Sequence, residues 1–299
     1  GAQTELIFEG GSMAVHPNGV IHRELKWFEE DYDIVDLSRL AEASGNDQTH
    51  DQTGVIPKIH DALILGLQDF FAKLKFDKAV LGLSGGIDSS VALAIAAKAL
   101  GPENIRVLLM PGEYSSEGSV SDSEKLAQKL GVHYDTVPIQ DVLTAFTDTL
   151  EPLFKDTQED VTEENLQARI RGTLLMAVSN KFGNILLNTS NKSESAVGYA
   201  TLYGDMSGAL SVLGDVYKTD VYRLAEYINR EEQIIPQSVI EKAPSAELAP
   251  DQKDSDSLPK YEVLDKILFQ YIELQKSTDE IVEEGFDEGT VKRIISMVN

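Results

Sequence analysis

Residues 79–90 constrain the fold more than any other stretch of this chain. An apolar run, Ala79-Val80-Leu81-Gly82-Leu83, meets Ser84-Gly85-Gly86-Ile87-Asp88-Ser89-Ser90 and passes directly into an alanine-rich segment. The run is short and does not alternate, which suits a strand buried on both faces of a parallel sheet. Gly85 and Gly86 permit a sharp turn and let backbone N–H groups come close to a ligand. At the mouth of a helix such groups carry unpaired donors and a partial charge of roughly +0.5, which favours a phosphate. Ser84, Ser89 and Ser90 add hydroxyl donors. Asp88 would repel phosphates unless a cation lay between, so it reads as an Mg2+ ligand. The plainer alternative is a tight strand-to-helix turn in which Asp88 caps the helix.

No lysine follows the glycines, so the G-x-x-x-x-G-K-[ST] nucleotide loop is absent, and the spacing is not G-x-G-x-x-G either. The heptad resembles the pyrophosphate loop of the N-type ATP pyrophosphatases, which cleave ATP between its α and β phosphates to adenylate a carboxylate or carbonyl. That narrows the chemistry and leaves the substrate open. The 299 residues carry a formal net charge of −24. This argues against nucleic acid as a partner, since phosphate-backbone binding needs a Lys/Arg surface. Cysteine is absent, which removes disulfides, thiolate metal sites and a thiol nucleophile. His16, His22, His50, His60 and His133 show no metal-ligand spacing. No stretch resembles a signal peptide or reaches the length of a membrane span, so a cytoplasmic protein without membrane association is expected.

Along the chain, residues 1–40 read differently from the rest. A Pro17-Asn18-Gly19 turn between the apolar runs Met13-Ala14-Val15 and Val20-Ile21-His22 predicts a hairpin too small to be stable alone. Residues 41–54 are polar and have the composition of a linker. Ile59, Leu63, Leu67, Phe70, Phe71 and Leu74 then keep helical spacing. After the glycine turn and its helix, residues 105–110 predict a second strand, and Ser121 with Glu124 a capping box opening a helix to Gly131. Residues 133–139 predict a third strand, with a helix carrying Val142, Leu143, Phe146 and Leu150 behind it. Thr162, before Glu163 and Glu164, is expected to cap a long helix with Leu166, Ile170, Leu174, Ala177 and Val178 on one face. Residues 185–187 predict a fourth strand, residues 203–208 a loop, Lys218 the start of a helix, and residues 243–258 a mobile flap. The alternation predicts an α/β fold, a doubly wound parallel sheet with flanking helices, in which the polar groups after Leu83, Met110 and Leu187 converge.

With these pieces placed, residues 55–299 resemble the NAD+ synthetases, and residues 1–40 resemble the last strands of a nitrilase-like glutaminase domain; together they resemble the glutamine-dependent type. The resemblance rests on Ser84 to Ser90, Asn165 with Arg169, the run Asn188-Thr189-Ser190-Asn191-Lys192-Ser193-Glu194, Tyr203-Gly204-Asp205, Lys218 and Pro244-Ser245-Ala246-Glu247-Leu248. It implies an adenine nucleotide alpha hydrolase-like fold and amidation of deamido-NAD: ATP adenylates the nicotinate carboxylate, releasing pyrophosphate, and ammonia displaces AMP to leave NAD+. By position, Gly82, Leu83, Ser84, Gly85, Gly86, Ile87, Asp88 and Ser89 would hold the ATP phosphates. Met110, Thr189 and Ser245 would bind ATP, and Lys218 would neutralise its phosphates. Asp88 and Glu194 would hold Mg2+, and with Lys218 they are the expected catalytic groups. Asn165, Arg169, Glu194 and Asp205 would face deamido-NAD, in a homodimer. No side chain needs to act as a nucleophile, so catalysis would be positioning and charge stabilisation.

Read singly, these residues have plainer uses. Arg169 could pair with a surface carboxylate, Glu194 could sit at a helix start and Lys218 could be solvated. The pattern also has departures. The Cys-Glu-Lys triad of a glutaminase cannot be present without cysteine, so the glutaminase domain is expected to be missing from this chain and ammonia to serve as the nitrogen donor. A basic segment expected beyond Asn299 is likewise outside it. Gly112 and Glu113 replace a commoner Ser-bearing segment. The rivals are another adenylating ligase on the same loop, such as the synthetase half of GMP synthetase, a tRNA-modifying adenylase, and a core that binds ATP without turnover.

Overall fold

A computed structural model of the chain describes residues 6–42, 54–250 and 252–299. Most of the expected linker over 41–54 lies outside the described residues. The chain forms two compact units, residues 1–75 and 76–299. This division falls after the first long helix.

In the first unit, β1 (Met13–Val15) and β2 (Ile21–Glu24) form the antiparallel hairpin, with Met13 opposite Glu24. Gly19 supplies the positive φ of +87° that the Asn-Gly turn requires. Helices α1 (Leu37–Glu42) and α2 (Val55–Leu74) follow. Helix α2 contains all six apolar positions from Ile59 to Leu74 that keep helical spacing.

The second unit is built on a parallel sheet of β3 (Ala79–Gly82), β4 (Ile105–Leu109), β5 (His133–Thr136), β6 (Ile185–Asn191) and β7 (Leu210–Leu213), in the order β5-β4-β3-β6-β7. The glycine turn therefore leaves the central strand. Val80, Leu108 and Leu186, on one face, pack with Ile170, Leu174 and Val178. On the other face α3 (Ile87–Leu100) is buried from Ser89 to Ala97, which explains its apolar residues on all sides. The remaining helices are α4 (Glu117–Leu130), α5 (Gln140–Phe154), α6 (Val161–Phe182), α7 (Lys192–Ala196), α8 (Lys218–Ile228), α9 (Gln237–Glu241), α10 (Tyr261–Ile272), α11 (Thr278–Glu283) and α12 (Glu288–Val298). The last three pack around Leu264, Ile267, Leu268, Ile281, Val291 and Ile294.

Several boundaries depart from the sequence reading, each for a local reason. Helix α4 starts a turn earlier than Ser121, because Ser116 caps it by accepting the Ser119 N–H at 3.2 Å. Helix α6 is capped by Asp160, not Thr162: Asp160 accepts the Thr162 N–H at 2.8 Å and Glu163 returns to the Asp160 N–H at 2.8 Å. A carboxylate is the stronger acceptor at a helix start. Strand β5 stops at Thr136, two residues before Pro138, which has no N–H for a ladder. Strand β6 continues to Asn191 because β7, unanticipated from its short Leu210-Ser211-Val212-Leu213 run, pairs with it. Among the described residues, no helix is long and apolar enough to cross a membrane.

Candidate active site

The turn after β3 depends on Gly85. Its φ is +78°, and a Cβ there would lie 2.5 Å from the Ser119 carbonyl oxygen. The first turn of α4 is thus pressed against the glycine loop. Within the loop, Gly86 N–H donates to Ser84 Oγ at 3.2 Å, and Ser90 Oγ donates to the Gly86 carbonyl at 2.8 Å. Gly86 caps α3 without any side-chain help, so this helix start is free to face an anion.

A cavity of about 290 Å³ opens at the C-terminal ends of β3, β4 and β6. The convergence expected of a doubly wound sheet is found: Met110 and Pro111 just after β4, and Asn188, Thr189 and Ser190 from β6, meet the glycine loop there. Gly82 to Ser89, Gly85 apart, border it, as do Met110, Thr189, Glu194, Asp205, Lys218 and Ser245. Asn165 and Arg169 do not. Asn165 accepts the Thr201 hydroxyl at 2.7 Å, and exposed Arg169 donates to the Leu202 carbonyl at 3.2 Å. One turn of α6 apart, they hold a second surface, made with residues 201–202.

The electrostatic centre of the cavity is Lys218, 2 % exposed at the first position of α8. Its Nζ donates to Asp88 Oδ2 and to Glu194 Oε1, the latter at 3.1 Å. Asn191, fully buried at the end of β6, ties the two carboxylates together. Its Nδ2 donates to Asp88 at 2.9 Å and its Oδ1 accepts the Glu194 N–H at 3.0 Å. Behind Lys218, Ser193 Oγ accepts its backbone N–H at 2.9 Å and donates to Asp265 at 2.5 Å. Burial pushes the Glu194 carboxyl up to about 7, with Asp88 adding to the shift and Lys218 opposing it. Burial works against the charge of Lys218 too, yet Asp88 and Glu194 outweigh it and raise its pKa. Asp205, which accepts the Thr201 N–H at 2.6 Å, and Asp254, which accepts the Tyr261 hydroxyl at 2.9 Å, are both raised, chiefly by burial.

Arg171 and Lys242 also border the cavity and escaped the sequence reading. Arg171 Nε donates to the Met110 carbonyl at 3.0 Å, and burial brings its pKa down to about 10. Among the described residues it has no carboxylate in ion-pair range. The signal was present in the spacing: Ala168, Arg171, Gly172 and Leu175 follow i, i+3, i+4, i+7 along α6 and all border the cavity. Lys242 pairs with Glu247. Both also contact Ser119, more than a hundred residues away in sequence, and no local pattern announces that.

Asp88 and Glu194 offer oxygen ligands around one buried cation, so the donor set is that of a hard divalent metal. Among the described residues no group of three or more His, Cys, Asp or Glu could hold a metal.

A family model described as NAD synthase matches residues 59–299. The glutamine-dependent NAD(+) synthetase of Synechocystis sp. is 47 % identical, over 100 % of this chain and 54 % of its own. In three dimensions the chain is similar to a glutamine-dependent NAD+ synthetase from Acinetobacter baumannii in complex with ADP, with a TM-score of 0.72 and 40 % identity over 98 % of this chain and 54 % of that one. It is also similar to an NH3-dependent NAD synthetase from Campylobacter jejuni, with a TM-score of 0.67 and 28 % identity over 82 % of this chain and 94 % of that one. The chain spans about half the length of the curated relatives it matches.

Proposed function

This chain belongs to the NAD synthase family, and we propose that it carries out the ATP-dependent amidation of deamido-NAD to NAD+, releasing AMP and pyrophosphate. The observation that carries this reading is the Asp88–Lys218–Glu194 cluster beside a glycine turn and an open helix start. A carboxylate is a poor electrophile until one oxygen becomes part of a good leaving group. In the first step a nicotinate oxygen attacks the α phosphorus and the bond to the bridging oxygen breaks, so pyrophosphate departs with the electron pair. In the second, ammonia attacks the activated carbonyl carbon, AMP leaves and the nitrogen sheds a proton. Both steps shift negative charge among phosphate oxygens. Fixed donors and cations in a water-poor cavity stabilise that shift far better than solvent does.

The roles divide by place. The glycine loop and Ser89 hold the phosphates, with Thr189 and Ser245 alongside. Lys218 supplies a buried positive charge whose position is set by Asp88 and Glu194. Arg171 is a cation bordering the cavity with no carboxylate in ion-pair range, only the longer-range charge of Glu247, and a nucleotide phosphate would give it an anionic partner. Asp88 and Glu194 would hold Mg2+, which supplies charge neutralisation at phosphate. Asn165, Arg169 and Asp205 serve the deamido-NAD side. With no cysteine in the chain, ammonia is the nitrogen donor here, and glutamine would have to be hydrolysed by a thiol on another polypeptide segment. A second copy of the chain as dimer partner would cover Val142, Phe146, Leu153, Val161, Met176 and Phe182, which α5 and α6 leave exposed.

Isotope exchange isolates the first step. Labelled pyrophosphate should enter ATP only when deamido-NAD and Mg2+ are present, and without ammonium. Exchange that does not need deamido-NAD, or no exchange at all, contradicts the proposed adenylation.

A further inference from the structure

Glu247 lies on the segment that borders the cavity after α9, and its carboxylate is surrounded by donors from distant parts of the chain. Its Oε1 meets Ser116 Oγ at 3.1 Å, Ser119 Oγ at 3.2 Å and the ammonium of Lys242. Its Oε2 accepts the Ser116 N–H at 3.5 Å. Lys242 in turn donates to Ser119 Oγ. The backbone at Glu247 is left-handed, with φ +51°, a conformation costing about 1 kcal/mol or more for a residue with a side chain. The contact therefore holds the segment in a conformation it would otherwise leave.

The position of this contact matters. Ser119, Lys242 and Glu247 all border the cavity, and the Ser119 carbonyl is the atom that leaves no room for a Cβ on Gly85. The carboxylate thus sits on the flank of the glycine turn, on a cation and two hydroxyls. Those are the donors a phosphate takes, with equal or greater strength per bond. A triphosphate anchored at Ser84 to Ser89 brings its outer phosphates next to this seat, where a carboxylate repels them.

Resting on the reading of the cavity as an ATP site, we propose that Glu247 is an internal competitor of the outer phosphates. In the free chain its carboxylate fills the seat formed by Ser116, Ser119 and Lys242. In the loaded chain the β and γ phosphates, and afterwards the departing pyrophosphate, take the seat and Glu247 is released. Ser245 moves with it, because its Oγ accepts the Glu247 N–H at 3.1 Å, while buried Gln167 of α6 keeps hold of the Leu248 carbonyl at 2.9 Å and limits the movement to the residues before it. AMP has no outer phosphates and leaves Glu247 in place.

The test is calorimetric titration of the intact chain with pyrophosphate, ATP and AMP, each with Mg2+. Glu247→Gln keeps the shape of the side chain and removes its charge. It is expected to tighten pyrophosphate and ATP about tenfold, the scale of one charge-assisted hydrogen bond, while AMP affinity stays within about twofold. Ser119→Ala is expected to weaken pyrophosphate several-fold and leave AMP unchanged. Pyrophosphate affinity that is unaltered or weaker in Glu247→Gln overturns the inference. If the wild-type chain binds neither ATP nor AMP, the reading of the cavity fails and the inference with it. Wild-type binding of all three ligands with no change in Glu247→Gln removes the inference alone.

Discussion

Lys218 donates to Glu194 across 3.1 Å while also contacting Asp88, and it does so from a position only 2 % exposed. The ammonium is the buried positive charge that both carboxylates share. Removing one member of such a buried group leaves an uncompensated charge, which costs more than the pair contributes net. Lys218→Met is therefore expected to lose on the order of 3 kcal/mol of stability at pH 8, read from urea unfolding. The loss should be smaller at pH 6, where Glu194 takes up a proton instead. An unchanged unfolding midpoint at pH 8 contradicts the arrangement.

The raised pKa of Glu194 fixes the sign of a pH effect. Its carboxyl is shifted from 4.5 to about 7 in the folded chain, by burial first and by Asp88 second. The folded state thus binds the proton more tightly than the unfolded state does. The stability associated with this group is fully present below about pH 4.5 and is lost as pH rises through 7, in total on the order of 3 kcal/mol. Glu194→Gln should abolish that part of the slope. Melting temperatures of the metal-free wild type and variant, compared from pH 4.5 to 8, should converge or cross in this window. Parallel curves contradict the assignment.

Gly85→Ala tests the close approach of α4 to the glycine turn. The new Cβ meets the Ser119 backbone at 2.5 Å in a residue with φ +78°, so neither rotamer change nor a flexible side chain can absorb it. Strain of left-handed backbone and overpacking together predict a loss of roughly 2–5 kcal/mol, or displacement of the loop with weakened ATP binding. Wild-type thermal stability together with wild-type ATP affinity would show that the turn is not held as described.

Arg171→Met separates binding from stability. The guanidinium has no carboxylate in ion-pair range, only the longer-range charge of Glu247 and the Met110 carbonyl, so its removal is expected to cost the free chain little. ATP affinity should nevertheless fall by about tenfold or more, the value of a charge-assisted contact. Loss of stability without loss of ATP affinity would assign Arg171 to holding the Met110 carbonyl alone.

The fold was legible where the signal is local. Ser84 to Ser90 identified the turn and helix start, and the three strand ends converge as a parallel sheet requires. The capping of α4 and α6 was misplaced because several Ser, Asp and Thr residues near each start are competent caps, and only the hydrogen bonds choose among them. Strand β7 was invisible because four residues carry too little periodicity and its pairing with β6 is made by tertiary contact. In the site, the structure brings Asp88, Glu194 and Lys218 into contact. Asn165 and Arg169 were placed beside the cavity wall and not in it. Asn191, Lys242 and Glu247 went unassigned, since each acts through partners more than a hundred residues away or through an unremarkable loop.

The proposed conversion of deamido-NAD to NAD+ at the expense of ATP can be followed through its products. The most direct measurement follows NAD+, AMP and pyrophosphate together, with ATP, Mg2+ and deamido-NAD, and with ammonium or glutamine as nitrogen source. Equal amounts of all three products are expected with ammonium, and no NAD+ with glutamine. Formation of ADP and orthophosphate, or the absence of NAD+ with ammonium in a chain that binds both nucleotides, would contradict it.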